Sequence, residues 1–307
     1  MKNKRLYILI GFILLIVLFL PSFLPLFQLR MVTEIVILAL FALTWNMVFH
    51  YAGLLSFGHS VYFGVGAYVS VLGWLHIKDL SFLSGILLGG LAAGIVGLVL
   101  GAFLVRMKGT YFALLTLAFN QLIWAIVWKW RGLTGGDDGL GKFSKPALLG
   151  IIPMTNTKNF YFMSLVIIGI GVFICWYITK TPFGNVITAI KSNEERANFI
   201  GFNTNVSKLI IFTIAGFFAG ISGTLYAQLQ EFIAPSAIDL GMSTNVLFMA
   251  FIGGTGSFWG PILGSGIFVY LSEYLSILTD RWEFILGFIF VIIVIFAPQG
   301  LLGLYKK

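Results

Sequence analysis

One stretch of the chain has the spacing of a phosphate-cradling loop: Gly136-Asp137-Asp138-Gly139-Leu140-Gly141-Lys142 fits G-x-x-x-x-G-K. Such a loop wraps phosphate in backbone N–H groups and is followed by Ser or Thr, whose hydroxyl holds magnesium. Phe143 stands at that place, two aspartates would repel phosphate, and no strand-like run precedes it. The stretch is read as a coincidence of spacing, so the chain is not expected to hydrolyse nucleotide itself. Cys175 is the only cysteine, which rules out an internal disulfide and a Cys-rich metal site. His50, His59 and His76 fall at scattered depths of apolar runs, whereas a membrane-embedded enzyme needs His, Asp or Glu converging at one depth. No catalytic residue, metal site or cofactor is expected.

Ion-coupled pumps place carboxylates deep in the bilayer, facing a cavity. Here Glu273 sits near the outer end of an apolar run and Glu34 at the start of another, positions suited to interfacial or helix contacts. Asn46, His59, Asn120 and Gln121 read as side chains that hydrogen-bond between helices. Lacking both a nucleotide site and a relay, the chain is expected to take its energy from another polypeptide; the alternative is a stand-alone secondary transporter or channel.

The elements that would position these residues follow from composition. Of 307 residues, 59% are hydrophobic and 10% charged, against roughly 25% charged in soluble domains. Only lipid solvates such a surface, so the fold class is an all-α polytopic membrane protein, one transmembrane domain over 1–307. About 20 apolar residues cross a bilayer as a helix. Ten runs qualify: 6–27, 31–50, 54–75, 81–105, 111–130, 160–179, 208–228, 241–259, 262–279 and 283–302. The runs 54–75 and 241–259 are Gly-rich and allow broken or re-entrant helices, which gives eight to ten crossings. The basic start Met1–Arg5 leads into a first run read as a retained span rather than a cleaved signal.

Net charge is +8. The cations flank spans and set orientation, and no basic face with interleaved aromatics suggests nucleic acid. With the N-terminus inside, Lys2, Lys4, Arg5, Arg106, Lys108, Lys180, Lys191, Arg196, Lys208, Lys306 and Lys307 share the cytoplasmic side. Lys129, Arg131, Lys142, Lys145 and Lys158 lie in or beside one long external loop, 131–159. Both termini are then cytoplasmic.

The connector 180–207 lies on the cytoplasmic side in this scheme. Its segment 185–200 mixes Val186, Ile187, Ala189, Ile190, Ala197, Phe199 and Ile200 with Lys191, Glu194, Glu195 and Arg196, and Gly201 closes it. That pattern makes an amphipathic helix, either lying on lipid or gripped by a cytoplasmic motor. Two glycine clusters complete the picture: Gly53, Gly58, Gly64 and Gly66, and Gly253, Gly254, Gly256, Gly260, Gly264 and Gly266. Glycine permits close helix packing. It also permits a discontinuous helix whose freed N–H groups meet a substrate. The second reading makes Ser56, Gly58 and His59, with Gly253, Gly254, Thr255, Gly256 and Ser257, the candidate substrate path. A Ser-Phe followed by spaced glycines recurs in 53–69 and 253–270, as in an internal repeat.

Taken in order, several pieces resemble one family. They are Gly53-Leu54-Leu55-Ser56-Phe57-Gly58-His59 with Phe63–Tyr68, Arg106–Ala113, Thr116–Phe119, Leu133–Leu140, Thr181-Pro182-Phe183-Gly184, Gly253–Pro261 and Ala297–Leu301. Together they resemble the permease family of ATP-binding-cassette importers for branched-chain amino acids, in its LivM-type branch. The resemblance covers nearly the whole chain. It implies a paired LivH-type permease, two cytoplasmic ATP-binding subunits, an external solute-binding protein and a bacterial inner-membrane setting. The substrate it implies is Leu, Ile or Val, with urea and short amides as the alternative. It also implies that Glu195, Ala197 and Gly201, with Glu194 beside them, carry coupling to the ATPases. Arg196 stands where that motif commonly has a second alanine.

Overall fold

In a computed structural model, residues 21, 23–141, 143, 145–148, 152–297 and 300–304 are described. The expected first span 6–27 and both terminal clusters of cations lie largely or wholly outside these residues. The apolar runs fold as helices: α1 (Leu26–Asn46, continued by a π-helical turn Met47–Tyr51), α2 (Ser60–His76), α3 (Phe82–Leu104), α4 (Thr110–Lys129), α5 (Thr157–Lys180), α6 (Pro182–Ser192), α7 (Glu194–Phe199), α8 (Thr204–Gln230), α9 (Leu240–Gly253), α10 (Gly260–Leu278) and α11 (Trp282–Phe296). Among the described residues, eight helical stretches are long and apolar enough to cross a membrane. The chain is an all-α polytopic membrane protein.

Both Gly-rich runs contain breaks. In the first, residues 52–59 are not helical, and α2 has only 17 residues, about 25 Å at 1.5 Å per residue. In the second, α9 ends at Gly253, and α10 begins at Gly260 after an irregular turn. The two breaks share a design. Gly53 and Gly254 each take positive φ (73° and 108°), where a Cβ is strained. The carbonyls of Ser56 and Ser257 are held by consecutive residues of α1: Trp45 Nε1 donates to Ser56 O at 2.8 Å and Asn46 Nδ2 to Ser257 O at 3.3 Å. In each break the recurrent Ser-Phe thus follows a positive-φ glycine by three residues and has its Ser carbonyl held by α1.

The core is the α2–α3–α8 bundle, whose backbones meet at glycine. A Cβ on Gly66 would strike the Gly220 backbone, and one on Gly89 would strike Thr224 Oγ1 and the Gly66 carbonyl. Thr224 Oγ1 donates to Gly66 O at 3.0 Å across this seam. Without water to drive helices together in lipid, such close backbone contact supplies the attraction. Gly66→Val has no side chain to displace, only backbone, and is expected to destabilise the fold by about 3 kcal/mol. Gly169, which has nothing near its missing Cβ, is the control. The thermal midpoint in detergent should fall for Gly66→Val and hold for Gly169→Ala. Equal midpoints would show that the seam is loose.

The glycine stretch that mimics a phosphate loop turns out to be a clip. Gly135, Gly136 and Gly139 have positive φ, which curls the chain so that β1 (Leu140–Gly141) pairs antiparallel with β2 (Phe232–Ile233). Glu231 and Lys145 close the same end at 2.8 Å. At the opposite end lie the α3–α4 turn, the close of α1 and the connector. Lys191 Nζ donates to His50 O at 2.7 Å there.

Candidate functional site

The connector folds as two helices, not one. Pro182 starts α6 at its first turn, where its missing N–H costs nothing, and Ile187 and Ile190 bury one face. Asn193 then leaves helical geometry (φ −159°, ψ 101°) and caps α7, its Oδ1 accepting from Arg196 N at 2.8 Å. Glu194 and Glu195 follow in the first turn, where the helix dipole favours negative charge. The helix closes in a Schellman pattern: Phe202 N donates to Ala197 O at 3.1 Å and Gly201 N to Asn198 O at 2.9 Å. Gly201 has φ +98°, and a Cβ there would meet open space. Its backbone conformation, not crowding, calls for glycine.

Of the four sequence-predicted coupling residues, Glu194, Glu195 and Ala197 share the short helix α7 and face different ways, and Gly201 lies just past its end. Ala197 is buried and Glu195 is exposed, beside Phe199 (91% exposed) and Ile200 (69% exposed). Glu194 turns inward. Its Oε1 lies 2.6 Å from Lys208 Nζ on α8, and its Oε2 lies 3.8 Å from Lys108 Nζ in the α3–α4 turn. The Lys208 side chain is 5% exposed, that of Lys108 67%. Thr204 Oγ1 stands 3.3 Å from Glu194 Oε1 and 3.1 Å from Asn198 Oδ1. Burial works against the Glu194 charge, but the Lys208 hydrogen bond and the charges of Lys208 and Lys108 outweigh it and hold the carboxyl below the usual carboxylate range. Sequence reasoning counted Lys208 only as an orienting cation. Its position four residues into α8, facing the core, is what makes it an anchor.

A second cluster sits midway along α4. Asn120 Nδ2 donates to Ile238 O at 2.6 Å and to Ser60 Oγ at 2.8 Å. Ser243 Oγ lies 2.7 Å from Ser60 Oγ and accepts from Ser60 N at 3.2 Å. The starts of the short helices α2 and α9 therefore abut at one point, with α4 bridging them. Asn120 is about 15 Å from either end of α4, where an unpaired polar group has no water to turn to.

The candidate path residues divide. Ser56 and His59 are fully buried. His59 Nε2 lies 3.0 Å from Thr44 Oγ1, and its ring stacks on Phe41. Gly58 packs against the Thr116 carbonyl, and Gly253 and Gly254 against Gly260. Thr255 and Ser257 are half-buried and Gly256 exposed. The structure brings Ser257 and Ser56 to the same end of α1, through Asn46 and Trp45. Among the described residues, no group of His, Cys, Asp and Glu is arranged to hold a metal ion.

Broken apolar spans and a tied helix at one end make this a polytopic membrane bundle, and its role comes from its family. The profile of the family described as "Branched-chain amino acid transport system / permease component" matches residues 28–295, and the chain belongs to that family. It is similar to the high-affinity branched-chain amino acid transport system permease protein LivM of Salmonella typhimurium, 28% identical over 89% of this chain and 69% of the relative. The Escherichia coli K12 LivM is 28% identical over 85% and 66%. The chain thus spans about two thirds of these relatives. The autoinducer 2 import system permease protein LsrC of Photorhabdus laumondii is 28% identical over 55% of this chain and 50% of its own length. No solved structure matches.

Proposed function

We propose that this chain is the membrane-spanning subunit of an ATP-driven importer of Leu, Ile and Val in a bacterial inner membrane. It works beside a LivH-type permease, two cytoplasmic ATP-binding subunits and an external solute-binding protein. The observation that carries this reading is the connector: Glu195, Phe199 and Ile200 project from α7 and its closing turn, while α7 is tied to α8 by Glu194–Lys208 and the neighbouring α6 is tied to the close of α1 by Lys191. A helix merely floating on lipid has no need of such ties. A helix gripped by a motor needs them, because work passes only through rigid joints. The connector end is then cytoplasmic and the 131–159 end external. Branched-chain amino acids are favoured as substrate because the LivM similarities cover far more of the chain than the LsrC similarity does.

The path runs beside the two broken turns. Thr255, Gly256 and Ser257 form its inner mouth. Ser56, Gly58 and His59 back it as a wall, and Gly253 and Gly254 let the turn bend. The test is uptake by the reconstituted assembly, with labelled Leu, Ile, Val and urea offered with and without ATP. Glu195→Arg should abolish ATPase association and uptake together. Unchanged uptake in that variant, or gradient-driven flux by this chain alone, would sink the reading.

A further inference from the structure

A cavity of about 610 Å³ opens between the α3–α4 turn and the connector, lined by Arg106, Lys108, Glu194, Asn198 and the segment Gly201–Asn205. Its charge is one-sided. Arg106 and Lys108 are exposed cations, while Glu194, the one acid in the lining, is already neutralised by Lys208. The remaining walls include Asn198, Asn203 and Asn205, while the Thr204 hydroxyl is engaged by Glu194 and Asn198. We infer that this cavity is a second docking point for the cytoplasmic ATPase and receives an acidic side chain of it. The inference rests on the proposed function and deepens it.

The argument is one of exchangeable charge. The Lys108–Glu194 contact is long, at 3.8 Å, and its lysine is largely in water, so it is weak. The Lys208–Glu194 contact is short and its lysine buried. An incoming carboxylate can therefore take Lys108 without leaving Glu194 unpaired, because Lys208 keeps it. Arg106 adds a second cation, and a carboxylate suits a guanidinium fork. The location also fits. The cavity lies directly beside the exposed Glu195–Phe199–Ile200 face, so one partner can cover both. Lys108 precedes Gly109, which has φ +55° and nothing near its missing Cβ, and α4 starts at the next residue. A partner holding Lys108 thus holds the free end of α4 at a swivel, and α4 carries Asn120 to the mid-span junction.

The decisive experiment is zero-length carbodiimide crosslinking of the assembled wild-type complex, followed by peptide mass spectrometry. The expected product joins the Lys108 amine to an Asp or Glu of the ATPase. It should appear with the ATPase bound and vanish when the motor is stripped away. A second measurement uses the R106E/K108E variant, purified through a tag on this chain. Retention of the ATPase should fall roughly tenfold, with the size-exclusion profile of the membrane part unchanged. Lys108 crosslinked only within its own chain, or full ATPase retention by R106E/K108E, would overturn the inference. So would loss of acidic lipid alone from that variant, which would make the cavity a headgroup site. A wild-type assembly that retains no ATPase would fail at the earlier step and sink the proposed function itself.

Discussion

Glu194→Gln is expected to leave the ATPase bound and hydrolysing while uptake falls at least tenfold. The reason is the division between adjacent acids. Glu195 faces outward, so its loss acts on the proposed motor contact. Glu194 faces inward, so its loss cuts the joint between α7 and α8. Removing the carboxylate strands Lys208 as a buried unpaired cation, a change that costs about 3–5 kcal/mol in comparable buried pairs. The solvent edge of this site lowers that figure. The local result is a connector that swings without moving α8. Glu194→Gln/Lys208→Met removes both charges, and should restore the thermal midpoint without restoring uptake. That split separates a joint from a prop, since a merely structural pair would recover both.

Acid should mimic the same lesion. The folded carboxyl titrates below its ordinary value near 4.5, so its contribution is fully present above that value and is lost as pH falls through the lower folded one. A spin label at position 198 in the wild type should stay ordered at neutral pH and loosen only as pH falls below the ordinary carboxylate range. In Glu194→Gln it should be loose throughout. An ordered label in the variant at pH 7 would refute the joint.

Asn120→Leu is the second large effect. Two donated hydrogen bonds disappear, and the Ile238 carbonyl and Ser60 lose a partner in a dry region. Interhelical hydrogen bonds in bilayers are worth about 0.6–2 kcal/mol each, so a loss of roughly 1–4 kcal/mol is expected. The functional loss should be larger than that figure suggests, because Asn120 is where α2, α4 and α9 meet. With the bridge gone, movement at the α4 end no longer reaches the two broken helices. Uptake should drop well beyond what Ser243→Ala produces, since Ser243 ties only α2 to α9. Uptake by Asn120→Leu equal to wild type would remove the junction from the mechanism.

Much of the fold was legible because lipid imposes one rule, about 20 apolar residues per crossing, and runs such as 81–105 and 160–179 obey it. The two breaks were legible as weakness in Gly-rich runs, though not as Ser carbonyls held on α1, because the grip of Trp45 and Asn46 is a tertiary contact. The clip between Leu140 and Ile233 left no trace, as its halves are four residues in all and lie far apart in sequence. Asn193 had a readable signal, a cap residue followed by two acids, but it was submerged in a continuous amphipathic pattern. Asn120 was legible as a helix-bridging amide, while its partners Ser60 and Ile238 were not. The opposite orientations of Glu194 and Glu195 could not be read at all. Neighbouring acids look alike until the position of Lys208 on the next helix is known.

The glycine seam has a further consequence for how the protein moves. Helices whose backbones touch at Gly66, Gly89 and Gly220 cannot slide or tilt against each other without opening a void, so α2, α3 and α8 travel as a single block. By contrast α4 buries only Phe112, Ala113, Thr116, Asn120 and Val127 along its length, and α11 only Leu286. Any rocking that exposes a passage first to one side and then to the other is therefore expected among the less buried helices around this block, α4, α5 and α11 included. The inhibitor design that follows is a wedge at α4 rather than a plug in the centre.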